Sequence, residues 1–153
     1  MPDRRVSTEH KRAVKERARG CCEYCFSQEA FSPQPFAVEH ILPRSKGGPT
    51  TLENLAWACQ GCNGHKHTKT EGVDPVNLGR VPLYHPRRQR WSDHFAWDVG
   101  FTRVVGLTPT GRATLATLCL NRDCLVNLRR VLHDVGEHPP VFFAEMLEKE
   151  DGR

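Results

Sequence analysis

Two short cysteine hooks constrain this chain more than any other feature: Cys22-x-x-Cys25 and, after a long insert, Cys59-x-x-Cys62. Each hook can offer two thiolates to one ion, and a matched pair at this spacing is the pattern of a tetrahedral structural zinc site. A lone CxxC could be a redox pair or chance. The seven cysteines sit in a chain with no hydrophobic signal segment and no long apolar run, which predicts reduced thiols rather than a disulfide framework. Metal binding is then the first reading. Cys21 neighbours Cys22, but only Cys22 forms the x-x hook with Cys25. Cys119 and Cys124 fall in an apolar stretch, where a small buried hydrophobe is the expected role.

The length, 153 residues, suits one domain or a small core with an extension. A core limited to the hooks and their insert could not stand on buried area alone, so zinc would contribute much of its folding free energy. Lys and Arg number 22 against 18 Asp and Glu, for a net charge of +4 and a pI near 8.8. That balance is compatible with a polyanionic partner without demanding one. The absence of a membrane-length apolar run predicts a soluble, cytoplasmic protein.

Residues 8–19, "TEHKRAVKERAR", favour a helix capped by Ser7 or Thr8 and stopped by Gly20. Only Val6, Ala13, Val14 and Ala18 could dock it; its charged face is either solvated or in contact with phosphates. A hook, a Pro-rich loop and a brief strand at Phe36–Glu39 follow. The segment through Leu55 and Trp57 is predicted irregular or weakly helical, and "CNGHKHTK" opens a short helix. Read in order, the insert gives two strands and a helix clamped by zinc around His40. The segment from Asp74 to Arg90 is predicted to be loop. Trp91 and Phe95, four apart, predict the buried face of a helix. Beyond them come a strand through Val105, a turn at Thr108–Gly111 and a helix through Leu118. Asn121 can cap a further helix in which Leu125, Leu128, Leu132 and Val135 share a face. Pro139 and Pro140 start a last helix with Phe143 and Leu147.

The stretches "CEYC", "VEHILPRSKGGPTTLENLAWACQGCN" and the following "HK" share their order and register with one family. Over about residues 10–70 the chain resembles the HNH nucleases. The resemblance implies a small α+β, zinc-stapled ββα-metal core of the His-Me finger type, here residues 1–75 with the N-terminal helix. A mainly helical extension, residues 76–153, would pack on it. It further implies a DNA endonuclease in which Glu39 and Asn63 ligate a catalytic Mg²⁺ or Mn²⁺. Asn54 would brace the loop that carries His40. The family's usual Asp before the histidine is Glu39 here, one methylene longer. The third signature position, usually histidine, falls on Asn63, with His67 the second choice of ligand and His65 the third.

The chemistry explains why such residues are needed. Phosphodiester hydrolysis requires a base for water and an offset for charge developing on the phosphoryl and leaving oxygens. Imidazole takes a proton near neutral pH, which makes His40 the candidate base. A hard divalent cation prefers oxygen ligands such as carboxylate and amide. Arg44, Lys46, Lys66 and Lys69 lie close to His40 in sequence, and Arg87, Arg88 and Arg90 form a basic run interleaved with aromatics. All seven are candidate phosphate contacts. Two other classes remain: a zinc-stabilised nucleic-acid-binding module without catalysis, and a redox protein using its CxxC thiols. Loss of cleavage with retained binding in His40→Ala separates the nuclease from the binding module. Tight zinc occupancy argues against the redox reading.

Overall fold

The N-terminal helix α1, Thr8–Arg17, begins where the Ser7 side chain accepts the backbone N–H of His10 at 3.1 Å, which satisfies one of the helix's open donors. Val14 and Ala18 are its buried contacts. Gly20, at φ +73°, reverses the chain into the first hook, in a conformation glycine adopts without a Cβ penalty. Arg17 fixes the helix by donating to the carbonyls of Leu52 and Leu55 at 2.9 and 2.7 Å.

The computed structural model describes residues 6–145. Within them the chain divides into two units. The first runs to Thr70 and takes in His85–Arg87; the second comprises Glu71–Tyr84 and the chain from Arg88 onward. Helices and small sheets alternate throughout, so the class is α+β. Among the described residues, no helix is long and apolar enough to cross a membrane.

The first unit holds strands β1, Ala37–His40, and β2, Leu55–Ala58, followed by helix α2, Gln60–Lys66. The strands pair antiparallel, with Glu39 opposite Ala56 and His40 opposite Leu55. Residues 55–58 therefore form a fully buried strand, where a weak helix or irregular segment was expected. The run "LAWA" has no alternation because both of its faces are covered, and such a run carries no period that distinguishes strand from helix. Glu23 locks the first hook onto this strand: its backbone N–H donates to the Trp57 carbonyl at 2.9 Å, and its carboxylate accepts the Trp57 N–H at 2.8 Å.

The second unit contains the hairpin β3, Glu71–Val73, with β4, Arg80–Pro82, and the one-turn helix α3, Trp91–His94. A second hairpin pairs β5, Phe95–Trp97, with β6, Val104–Gly106. Helices α4, Pro109–Leu118, and α5, Asp123–Asp134, follow. Strands β3, β4 and β5 are too short to announce themselves, whereas β6 forms where a strand through Val105 was expected. The first is closed by Asp74, which is buried and accepts two bonds from Arg112 at 2.9 and 2.7 Å. Trp91 and Phe95 are buried with ring centroids 5.2 Å apart, but Phe95 already belongs to β5 rather than to a helix face. Thr108 caps α4, so Gly111 lies inside that helix. A Cβ at Gly111 would come within 2.1 Å of the His94 carbonyl, and this residue is what allows α3 and α4 to approach.

Arg122, not Asn121, occupies the N-cap position of α5. Asn121 instead clamps Val104, accepting its N–H and donating to its carbonyl, each at 2.8 Å. Val135 falls beyond the end of α5 and is exposed, while Arg129 takes a buried position on the helix. Its guanidinium donates to the carbonyls of Thr102 and Leu120 and lies 5.1 Å from the Trp97 ring centroid. Cys119 is half-exposed and Cys124 exposed, so neither is the buried hydrophobe expected; each sits near a helix end, where the chain turns toward solvent. Phe143 begins a helical stretch, and Leu147 lies outside the described residues.

Candidate active site

Four sulfurs define the centre of the first unit. Cys22, Cys25, Cys59 and Cys62 are all buried, and their Sγ atoms lie within 4.8 Å of one another. Cys25 and Cys59 approach to 3.7 Å, against about 3.8 Å between sulfurs on a tetrahedral zinc with ~2.3 Å bonds. The donor set and its spacing fit that ion. Cys59 caps α2, its sulfur accepting the Cys62 N–H at 3.4 Å, so the positive end of the helix faces a thiolate ligand. Burial pushes the Cys22 thiol well up, and its three sulfur neighbours push it further. A divalent cation is what makes four thiolates tolerable at such distances. Cys21 is buried outside the cluster, its thiol pushed up to about 12 by burial and by Cys25.

From this staple the site extends along β1, where successive side chains point to opposite faces. His40 is half-buried, and its Nε2 lies 2.8 Å from Thr50 Oγ1. Burial lowers its pKa below 6.5, the nearby Arg44 lowers it further, and Glu39 opposes the shift. That direction favours the neutral imidazole. The chain after it is held by Asn54, whose side-chain oxygen accepts the Leu42 N–H at 2.9 Å. Its amide donates to the carbonyls of Leu42 and Pro49 at 3.0 and 2.8 Å. Gly47, at φ +86°, ends a single 3-10 turn at Arg44–Lys46. The next residue, Gly48, passes so close to the Leu42 carbonyl that a Cβ would meet its oxygen at 1.7 Å.

Glu39 faces the other way, into the protein. It is 3% exposed; Tyr24 Oη donates to Oε2 at 2.7 Å, and the Lys66 ammonium lies 2.5 Å from Oε1. Lys66 is 1% exposed and also donates to the Ile41 carbonyl at 2.8 Å. Two expectations are corrected by this geometry. Lys66 cannot reach a phosphate, because a helix that docks on β1 has carried its ammonium inside. Glu39 does not present an open carboxylate to a hydrated Mg²⁺ or Mn²⁺: Oε2 accepts from Tyr24, Oε1 has no hydrogen bond but faces the Lys66 ammonium, and the residue is buried, whereas such an ion keeps several waters. With Lys66 in place, the residues present do not fit a divalent cation at this position.

Asn63 is half-buried at mid-helix on α2. His67 does not share its face, since the helix ends at Lys66 and His67 turns to φ +50°. His65 and His67 are exposed. Among the candidate phosphate contacts, Arg44, Lys46 and Lys69 are exposed in the first unit. Arg87 belongs to that unit too, but it is paired with Glu23, with its side chain 14% exposed. Burial and Arg17 lower its pKa to about 10. It is therefore a structural cation, anchored to the carboxylate that also holds Trp57. In the second unit Arg88 is exposed, and Arg90 pairs with Asp93 at 3.0 Å.

Tyr24, Thr50, Glu23 and Arg17 escaped the sequence reading. Tyr24 fills an x position of the first hook, next to ligating cysteines, and that placement is its only signal. Thr50 has none, because its meeting with His40 depends on how residues 42–50 fold back. Residues 22–69, which span the hooks, both strands and α2, match the HNH endonuclease family. No curated protein matches the chain.

Proposed function

We propose that this HNH-family domain, residues 22–69, is a DNA endonuclease core in which His40 is the general base for phosphodiester hydrolysis. The observation that carries the reading is the state of His40. It is a half-buried imidazole whose pKa burial and Arg44 lower, with one ring nitrogen 2.8 Å from Thr50 Oγ1, at the end of a strand in the unit that holds the cysteine tetrad.

A general base here requires one tautomer. If Nε2 keeps its proton and donates to Thr50 Oγ1, then Nδ1 carries the lone pair that can accept a proton from water. Thr50 fixes the ring, and Asn54 fixes the loop on which Thr50 approaches. Exposed Arg44, Lys46 and Lys69 supply the positive charge that binds a phosphate backbone without reading its sequence. Arg44 next to the imidazole also offsets charge that develops on the phosphoryl oxygens. Zinc at the four cysteines would contribute structure, holding α2 and the first hook against the strands.

The test is cleavage of supercoiled plasmid DNA, with Mg²⁺ or Mn²⁺ in the buffer, by zinc-loaded wild type and His40→Ala. Loss of the base should cost about 10²–10⁴-fold in rate, with DNA affinity and the circular-dichroism spectrum unchanged. Equal rates in the two proteins refute the assignment of His40. Binding without cleavage in the wild type would instead favour a zinc-stabilised nucleic-acid-binding module.

A further inference from the structure

The charged cluster behind His40 is fully internal and has a composition of its own. Glu39, Lys66 and Tyr24 are 3%, 1% and 1% exposed. The Lys66 ammonium lies 2.5 Å from one carboxylate oxygen of Glu39 and donates to the Ile41 carbonyl at 2.8 Å. Tyr24 donates to the other carboxylate oxygen at 2.7 Å. Each member comes from a different element: Glu39 from β1, Lys66 from the last turn of α2, and Tyr24 from within the first cysteine hook.

A buried carboxylate must be neutralised by a proton, a metal ion or an organic cation. Here the third solution is built in. The ammonium, carried in by α2, faces an anionic oxygen of β1 and donates to a backbone carbonyl just past it, groups of the kind a hard ion would take. A hard divalent ion needs about six oxygen ligands and keeps several waters; this buried pocket offers one carboxylate already engaged twice.

We propose that Lys66 is a resident counter-cation that fills the divalent-metal position at Glu39, so that the wild-type core binds zinc at its cysteines and no second ion beside β1. Through Ile41, the residue after His40, the same ammonium also sets the backbone from which the imidazole projects. Lys66 is thus a positioning residue, and Glu39 is its anchor. This concerns the same core as the nuclease reading but stands on ion binding, so a failure to cleave DNA leaves it intact. A Mn²⁺ site at Glu39 would likewise leave the assignment of His40 intact.

The experiment titrates Mn²⁺ into the zinc-loaded full chain and follows the free hexaaqua signal by electron paramagnetic resonance, for wild type, Glu39→Gln, Lys66→Met and the double variant. Wild type and Glu39→Gln should give superimposable titrations. Lys66→Met should gain a Mn²⁺ site that the double variant lacks. A site present in the wild type and lost in Glu39→Gln overturns the proposal, as does a folded, zinc-loaded Lys66→Met that gains none. Should Lys66→Met fail to fold, the comparison of wild type with Glu39→Gln decides the matter alone, since glutamine keeps the size of the carboxylate and one acceptor oxygen while removing the charge a divalent ion needs.

Discussion

His40 shows how much one residue's chemistry depends on neighbours that sequence order hides. Its pKa is lowered because it is half-buried and because Arg44 stands four residues on, with Glu39 pulling the other way. The sign of each influence follows from charge: burial and a neighbouring guanidinium disfavour imidazolium, and a carboxylate favours it. Arg44→Ala removes one of the two influences that lower the pKa. The acid limb of the pH–rate profile for DNA cleavage should therefore move toward higher pH, while His40 stays the group that sets it. A profile superimposable on wild type would remove Arg44 from the account. The motif around His40 is what made it the candidate base. That Thr50 holds its ring was not legible, because a hydrogen bond across ten residues of turn leaves no trace in spacing.

At the level of elements, the first unit is a case in which local pattern and tertiary covering compete. The helix at α1 was legible from its cap, its charge and its glycine stop, and it forms over Thr8–Arg17. Strand β2 was not, because all four of its residues are buried and an unbroken apolar run has no period to read. The turn joining the strands depends on glycine in a way the dipeptide alone understates. Gly47 supplies a left-handed conformation, whereas Gly48 is needed for space beneath the Leu42 carbonyl. Gly48→Ala should lower stability by about 1–3 kcal/mol, in the range of overpacking at a close contact, read as a shift in the denaturant midpoint. An unchanged midpoint would mean that the loop opens without cost and does not hold His40.

Across the whole molecule the two units rely on different devices. The first is organised by four buried cysteines and an internal ion pair, the second by aromatic stacking with a buried arginine and histidine. His138 is 5% exposed, 2.9 Å from the Phe101 carbonyl, and stacked edge-on against Trp97 at 4.7 Å. Burial is the largest influence on it and, with Arg129 and His133, outweighs the carbonyl's opposing pull, so its pKa falls from 6.5 to about 4. Between those values the unfolded chain binds more protons than the folded one, so His138 makes stability fall as pH drops through that window. His138→Gln, which keeps a donor for Phe101, should flatten the pH dependence of the unfolding midpoint between about 6.5 and 4. Trp97 fluorescence reports it, and a slope equal to that of the wild type would refute the assignment.

The sequence by itself marked the four cysteines that cluster and the stretch 22–69 that matches the HNH endonuclease family, because those features depend on residue type at fixed spacing. The β3–β4 hairpin, the pairing of β5 with β6, the inward turn of Glu39 and Lys66, and the pairing of Arg87 with Glu23 were decided only by tertiary structure. Each depends on which surfaces the packed elements cover. Strand alternation sends Glu39 inward, and docking of α2 carries the ammonium of Lys66 in after it. Residues that read as a metal ligand and a phosphate contact thus become each other's partners.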